Sequence, residues 1–148
     1  MIINEDLIEL HLQATDRLDA LNQLSAKAYK INRLKDKEKY LEKVIERESQ
    51  ISTDMGNGIA IPHGKADAVT EAFVVFAKLE DPIIWNESEG SKVDLVFMLG
   101  VPEISESNTH LRIISQLAAE LMDDEFLEKL RNTEDKKELL DRLTLIQV

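Results

Sequence analysis

Three histidines and one arginine are the residues of this chain whose types and positions could perform chemistry. His63 stands in the stretch GNGIAIPHG, residues 56–64, where three of the five glycines and one of the three prolines surround a short apolar run. A histidine side chain has a reference pKa of about 6.5, so it can act as a nucleophile or carry a proton near neutral pH. The stretch therefore predicts an imidazole that is held at a defined place by the backbone around it.

The residues next to His63 indicate how it is positioned. Ile59 and Ile61 are expected to face the core from a strand over 58–62, Pro62 to end the hydrogen bonding of that strand, and Gly64 to relax the backbone beyond it. The imidazole then lies at a strand end, where α/β sheets commonly bind their ligands. The alternative is a turn histidine that only makes structural hydrogen bonds.

His110 lies in SNTHLRI, at the expected start of a helix. Ser107, Asn108 or Thr109 can cap this helix, so His110 falls in its first turn whichever of them is the cap. The free N–H groups of a helix N-terminus attract anions such as phosphate, and the helix dipole favours a neutral histidine there. An ordinary polar residue at a helix start is the alternative.

Arg47 and His11 complete the set. Arg47 is expected near the end of a helix, with Ser52 and Thr53 in the loop that follows, where its guanidinium could hold a phosphoryl group. Compensation of the helix dipole is the alternative role for an arginine in that place. His11 shares the polar side of an N-terminal strand with Glu9, so we expect it to be solvated, or at most to have a peripheral role.

The apolar periodicity predicts the elements that must position these side chains. Strands are predicted over 7–12, 58–62, 73–79 and 93–101, and helices over 16–31, 36–48, 107–122, 126–130 and 139–143. Several of these strands are joined by loops too short for a helical crossover. We therefore predict an α/β fold in a single domain, with a mixed parallel and antiparallel β-sheet flanked by helices.

Composition excludes several function classes. The chain has 148 residues, enough for one domain, and its 29 acidic and 18 basic residues give a net charge of −11, which argues against binding nucleic acid or anionic membranes. It has no cysteine, hence no disulfide, thiolate nucleophile or zinc–thiolate site. No GxxxxGK(S/T) or HExxH motif is present, so neither a nucleotide cofactor nor a metal-dependent hydrolase is expected. The acidic N-terminus and the lack of a long apolar run predict a cytoplasmic protein.

The motifs carry a family resemblance. RESQISTDMGNGIAIPHGKADAV, followed some 45 residues later by THLRIISQLAAELMDDEFLEKL, resembles the enzyme IIA domain of the fructose and mannitol class of the bacterial phosphoenolpyruvate-dependent sugar phosphotransferase system. The similarity covers nearly the whole chain, so 1–148 is expected to be one such domain. Asp54 stands where the family usually has a glycine, and Met55 replaces a smaller aliphatic residue. Asp54 would add a negative charge near a phosphoryl site.

The resemblance implies a function and roles for the residues. His63 would be the phosphorylated nucleophile, His110 would assist it and Arg47 would help to hold the phosphoryl group. The histidine carrier protein HPr would be the donor and an enzyme IIB the acceptor, with the membrane enzyme IIC associated only indirectly and no cofactor required. A fructose-type sugar transporter is the expected context. A regulatory relative, whose phosphorylation state controls its binding to other proteins, is the alternative.

Overall fold

The computed structural model describes residues 2–104 and 109–143, and the side chains of residues 109 and 110 lie outside that description. After a 3-10 turn at Glu5–Leu7, the elements within these ranges are β1 (Ile8–Leu12), α1 (Arg17–Lys30), α2 (Lys37–Gln50), β2 (Asp54–Gly56), β3 (Ile59–Ala60), β4 (His63–Ala66), β5 (Phe73–Asn86), β6 (Ser91–Pro102), α3 (Thr109–Leu121), α4 (Asp124–Asn132) and α5 (Lys136–Leu143).

The strands form one mixed sheet. Their order is β1-β5-β6-β3-β2, and β4 also pairs with β6. β5 and β6 are antiparallel, as are β2 and β3, whereas β1 is parallel to β5 and both β3 and β4 are parallel to β6. α1 packs on β5, α2 on β4, α3 on β6 and α5 on β1. The predicted mixed sheet flanked by helices is confirmed.

The helix starts follow from capping aspartates. Asp16 precedes α1 and accepts a hydrogen bond of 2.8 Å from the backbone N–H of Asp19, and Asp36 precedes α2 and accepts one of 3.1 Å from that of Lys39. Each cap satisfies an N–H group that has no partner inside its helix. Both starts lie where the sequence predicts them.

The core is centred on the two long strands. Residues 73–79 of β5 and 95–101 of β6 are buried throughout, as expected of central strands that are covered on both faces. The rings of Phe76 and Phe97 meet across these strands at a centroid distance of 4.9 Å. Two residues of the predicted helical stripes, Leu18 and Met122, are instead largely exposed. The apolar face of α1 is therefore narrower than its sequence suggests, and α3 ends at Leu121, before Met122.

Two predicted strand boundaries are wrong. β5 continues past Leu79 to Asn86, because Pro82 falls where the register between β5 and β6 shifts and is accommodated there. The strand predicted over 58–62 is only Ile59–Ala60, and it forms a hairpin with β2 that the apolar pattern does not predict. No helix in the described ranges has the length and apolar character needed to cross a bilayer.

Candidate functional site

The segment that carries His63 follows β6 in one register. Ile59 lies opposite Leu95 and His63 opposite Leu99, with an interruption at Pro62. Proline lacks the N–H donor, but its carbonyl still accepts a hydrogen bond of 2.9 Å from the N–H of Leu99. His63 is therefore the first residue of β4. The prediction that it lies at the end of the strand over 58–62 is wrong, because β3 ends at Ala60 and the pairing with β6 resumes at His63.

A tight turn leads into this segment. Gly56, Asn57 and Gly58 all have positive φ, at 85°, 55° and 81°, which matches the preference of Asn-Gly pairs for hairpin turns. A Cβ on Gly58 would lie 2.5 Å from an oxygen of Asp94. That carboxylate accepts two hydrogen bonds from Arg131, at 2.9 and 2.8 Å, and raises the pKa of the guanidinium. The glycines thus let the hairpin approach this ion pair.

Gly64 brings α2 against the motif strand. A Cβ on Gly64 would lie 3.1 Å from Val44 and 3.3 Å from Tyr40, both on the inner face of α2. The Tyr40 hydroxyl donates a 2.6 Å hydrogen bond to the carbonyl of Leu99, the residue opposite His63. Burial raises the pKa of Tyr40 well above its ordinary value, so it is a neutral donor. The lack of a side chain at residue 64 therefore sets α2 close to His63.

A cleft of about 240 Å³ opens between α2 and β4. Its lining residues are Lys43, Glu46, Arg47, Gln50, His63, Gly64, Lys65 and Val101. The structure therefore brings two of the predicted site residues, Arg47 and His63, to one place. Three of the lining side chains are cationic and one is a carboxylate, in a chain whose net charge is −11. An anionic group bound in the cleft would be stabilised by these cations.

The His63 imidazole has a defined orientation. The ring is half-buried, and its Nδ1 lies 2.8 Å from the carbonyl oxygen of Ile61. A carbonyl oxygen can only accept a hydrogen bond, so Nδ1 must carry the proton. In the neutral ring the lone pair that can attack an electrophile is then on Nε2. The backbone just before the histidine thus selects its nucleophilic nitrogen.

Arg47 lies in the last turn of α2. Its Nη1 donates a 2.7 Å hydrogen bond to the carbonyl of Ile51, just beyond the helix. This contact agrees with the dipole-compensating role, and its place in the lining of the cleft agrees with an anion-binding role, so the geometry is compatible with both.

His110 belongs to α3, which begins at Thr109, so its backbone lies in the first turn as predicted. The position of its side chain lies outside the described part of the chain, as do residues 107 and 108 and with them the predicted cap.

His11 and Asp54 differ from expectation. His11 is exposed but not merely solvated, because its Nδ1 contacts Glu80 and its Nε2 lies 2.9 Å from Glu134. Asp54 does not line the cleft, and its carboxylate accepts a 2.8 Å hydrogen bond from the N–H of Gly56. This hydrogen bond supports the hairpin turn.

Sequence reasoning missed several site residues. Lys43, Glu46 and Gln50 share the cleft with Arg47. Their spacing of i, i+3, i+4 and i+7 places them on one face of α2, a signal that the sequence does contain. Among the described residues, no group of three or more His, Asp and Glu side chains is arranged to hold a metal ion.

Comparison with known proteins identifies the family. The family model described as "Phosphoenolpyruvate-dependent sugar phosphotransferase system, EIIA 2" matches residues 1–145. The match places the chain among phosphotransferase components, which transfer phosphoryl groups. The chain belongs to the EIIA type 2 family of that system, as its motifs predict.

Its relatives fall into two groups. The PTS system 2-O-alpha-mannosyl-D-glycerate-specific EIIABC component of Escherichia coli is 33% identical over 143 residues, which are 96% of this chain and 22% of that protein. The chain thus spans less than a quarter of that relative's length. The nitrogen regulatory protein of Klebsiella oxytoca is 36% identical over 138 residues, 92% of this chain and 82% of that one. The structure of nitrogen regulatory protein IIA-Ntr from Neisseria meningitidis has a TM-score of 0.87 and 26% identity, and the similarity covers 96% of both chains.

Proposed function

We propose that this protein is a phosphoryl carrier of the sugar phosphotransferase system that accepts a phosphoryl group from phospho-HPr on His63 and passes it to an enzyme IIB. The observation that supports this best is the hydrogen bond from Nδ1 to the Ile61 carbonyl, in a cleft rich in cations. It makes Nε2 the nucleophile in the place where an anion is favoured. No cofactor takes part, and the domain comprises residues 1–148.

The transfer is an in-line exchange of one phosphorus–nitrogen bond for another. The lone pair of His63 Nε2 attacks the phosphorus of the phosphohistidine of HPr, and the bond from phosphorus to the HPr nitrogen breaks with its electron pair returning to that nitrogen. In transfer to IIB, a nucleophile of IIB forms the new bond to phosphorus, and the bond from phosphorus to His63 Nε2 breaks with its electron pair returning to Nε2. Catalysis then depends on positioning and charge stabilisation, to which Arg47 and His110 contribute as stabilisers and not as acceptors.

The first candidate role is phosphoryl transfer for a sugar transporter of the fructose type. The E. coli relative carries A, B and C components under one name, so a IIB acceptor and, through it, a membrane IIC fit this chain as partners. The cytoplasm is the compartment in which we place it.

The second candidate is a regulatory relative, which the 36% identity to the nitrogen regulatory protein of Klebsiella oxytoca supports. The phosphoryl chemistry on His63 is the same in both roles.

Phosphoryl transfer with purified components tests the proposal. Phosphoenolpyruvate, enzyme I and HPr should add one acid-labile phosphate to the protein, and omission of HPr should prevent this. Addition of a fructose-type IIB should then remove the phosphate in the sugar branch. If no sugar-specific IIB removes the phosphate from the protein, the regulatory role is favoured. If the protein takes up no phosphate at all, both the transport role and the regulatory role are refuted.

A further inference from the structure

One acidic residue beside the cleft is buried. Glu48 follows Arg47 in α2, but its side chain is only 2% exposed, on the inner face with Tyr40 and Val44 at spacings of four and eight residues. Burying a carboxylate is costly unless hydrogen bonds and charges compensate it. The hydrogen-bond partners of Glu48 must therefore compensate the cost of its burial.

Glu48 holds the loop that follows α2. Its Oε2 accepts a 3.1 Å hydrogen bond from the backbone N–H of Thr53, and its Oε1 accepts the hydroxyl of the same residue. The guanidinium of Arg17 is also near, with Nη1 3.9 Å from Oε2. Thr53 is itself buried, so these bonds are little exposed to competition from water. The carboxylate thus fixes both the backbone and the side chain of Thr53.

Thr53 in turn fixes the motif strand. Its carbonyl accepts a 3.1 Å hydrogen bond from the N–H of Ile61, and the carbonyl of Ile61 accepts the 2.8 Å hydrogen bond from Nδ1 of His63. Glu48 is therefore joined to the imidazole by a short series of hydrogen bonds through two residues. The last bond in this series is the one that places the lone pair on Nε2.

We propose that Glu48 is a positioning residue for His63: acting through Thr53 and Ile61, it holds the carbonyl that orients the imidazole and selects its tautomer. Loss of the carboxylate frees Thr53 and, with it, the Ile61 carbonyl. The ring then samples other orientations. It also samples the tautomer with the proton on Nε2, in which Nε2 has no lone pair available to attack phosphorus. The effect on transfer rests on the proposed function, whereas the effect on the tautomer does not.

The variants are E48A, E48Q and T53V, with T133V as the matched control. Gln can keep both contacts, accepting from the N–H of Thr53 and donating to its hydroxyl, so E48Q should preserve the geometry that E48A loses. T53V removes only the hydroxyl. Thr133 is also buried and its hydroxyl donates to the carbonyl of Lys129 within α4, so T133V removes an equivalent bond that has no link to His63.

The first measurement is the ¹⁵N chemical shifts of the His63 imidazole in the unphosphorylated, full-length protein. The parent, E48Q and T133V should show a protonated Nδ1 and an unprotonated Nε2 at a pH where the ring is neutral. E48A should show a mixture of tautomers, and T53V a smaller change in the same direction. If E48A does not fold, T53V carries the test. Parent-like shifts in folded E48A, or in T53V when E48A is unfolded, would overturn the proposal.

The second measurement is the rate of phosphoryl transfer at saturating phospho-HPr. Misplacement of a reacting group by about 1 Å can cost roughly a hundredfold, so E48A should be slower by about that factor, with E48Q and T133V close to the parent. Parent rates in folded E48A would overturn the kinetic part. A parent protein that takes up no phosphate would instead refute the proposed function, and the tautomer measurement would still decide the role of Glu48.

Discussion

His63 and His11 present the same side chain in two opposite environments. His63 is half-buried, bound to a backbone carbonyl through Nδ1, and shares its cleft with Lys43, Arg47 and Lys65. His11 is exposed on β1, and its two nitrogens contact the carboxylates of two different segments. Cationic side chains outnumber carboxylates around His63, whereas carboxylates contact both nitrogens of His11.

The difference in charge around the two rings bears directly on the proposed phosphoryl transfer. A phosphoryl group brings about two negative charges, which cations stabilise and carboxylates repel. A carboxylate lies next to each nitrogen of His11, and these two negative charges would repel an incoming phosphoryl group. The surroundings of the two rings therefore favour His63 over His11 as the proposed phosphoryl acceptor.

Replacing each histidine in turn should give the largest difference. We expect His63→Gln to abolish phosphate uptake from phospho-HPr, because the nucleophile is gone, and His11→Gln to retain the parent rate. Labelling with radioactive phosphoenolpyruvate, in the presence of enzyme I and HPr, measures both. Labelling that survives in His63→Gln, or is lost in folded His11→Gln, would contradict the proposal that His63, and not His11, accepts the phosphate.

Arg47 and His110 are the two residues that we propose to assist phosphoryl transfer at His63. Arg47→Ala and His110→Ala should each still be labelled, but roughly ten- to ten-thousand-fold more slowly, the usual range for a positioned charge or acid–base group. Arg142→Ala serves as the control, since Arg142 pairs with Glu138 on α5. Rates equal to the parent in both variants, measured by single-turnover transfer, would remove these residues from the site.

Partner docking should distinguish the two regions as well. In the proposed transfer, HPr and IIB must each reach His63, so titration of ¹⁵N-labelled protein with either one should perturb amide signals of residues 58–65 and 107–111. The net charge of −11 favours encounter with a basic surface, so binding should weaken as salt rises. Two separate footprints, or one centred on His11, would contradict the single shared face.

The smallest expected effect concerns Tyr40, which donates a hydrogen bond to the carbonyl of Leu99, the residue opposite His63. Tyr40→Phe removes the hydrogen bond to Leu99 and should cost about 1 kcal/mol of unfolding free energy at neutral pH. The pKa of Tyr40 is raised in the folded state, so its contribution is full below about pH 10 and declines as pH rises toward the folded pKa. Urea unfolding across alkaline pH should show less loss of stability in Tyr40→Phe than in the parent. The exposed Tyr29→Phe is the control, and identical profiles for all three proteins would refute this role.

Local signals predict much of the fold. The capping aspartates at residues 16 and 36 and the apolar stripes fix the first two helices, and the short connections indicate a mixed sheet. The Asn57–Gly58 pair also signals a hairpin, but the alternation expected of its strands is too short to support a strand prediction at β2.

The candidate site is less accessible to such reasoning. The motif identifies His63 and Arg47, but their common cleft depends on the packing of α2 against Gly64, which is a tertiary contact. From the sequence, Glu48 would be expected to be an exposed charge next to Arg47. Its burial is explained by its hydrogen bonds to Thr53, which the sequence does not predict. Likewise, the carboxylates around His11 come from segments about 70 and 120 residues away in sequence.

The central claim is that the Ile61 carbonyl makes Nε2 of His63 the phosphoryl acceptor, and the nitrogen that carries the phosphate tests it most directly. The parent protein, labelled with ¹⁵N in its histidines and phosphorylated through HPr, should show coupling between ³¹P and the Nε2 of His63, with Nδ1 still protonated. Phosphate on Nδ1 of His63, or on any other residue, would contradict the account.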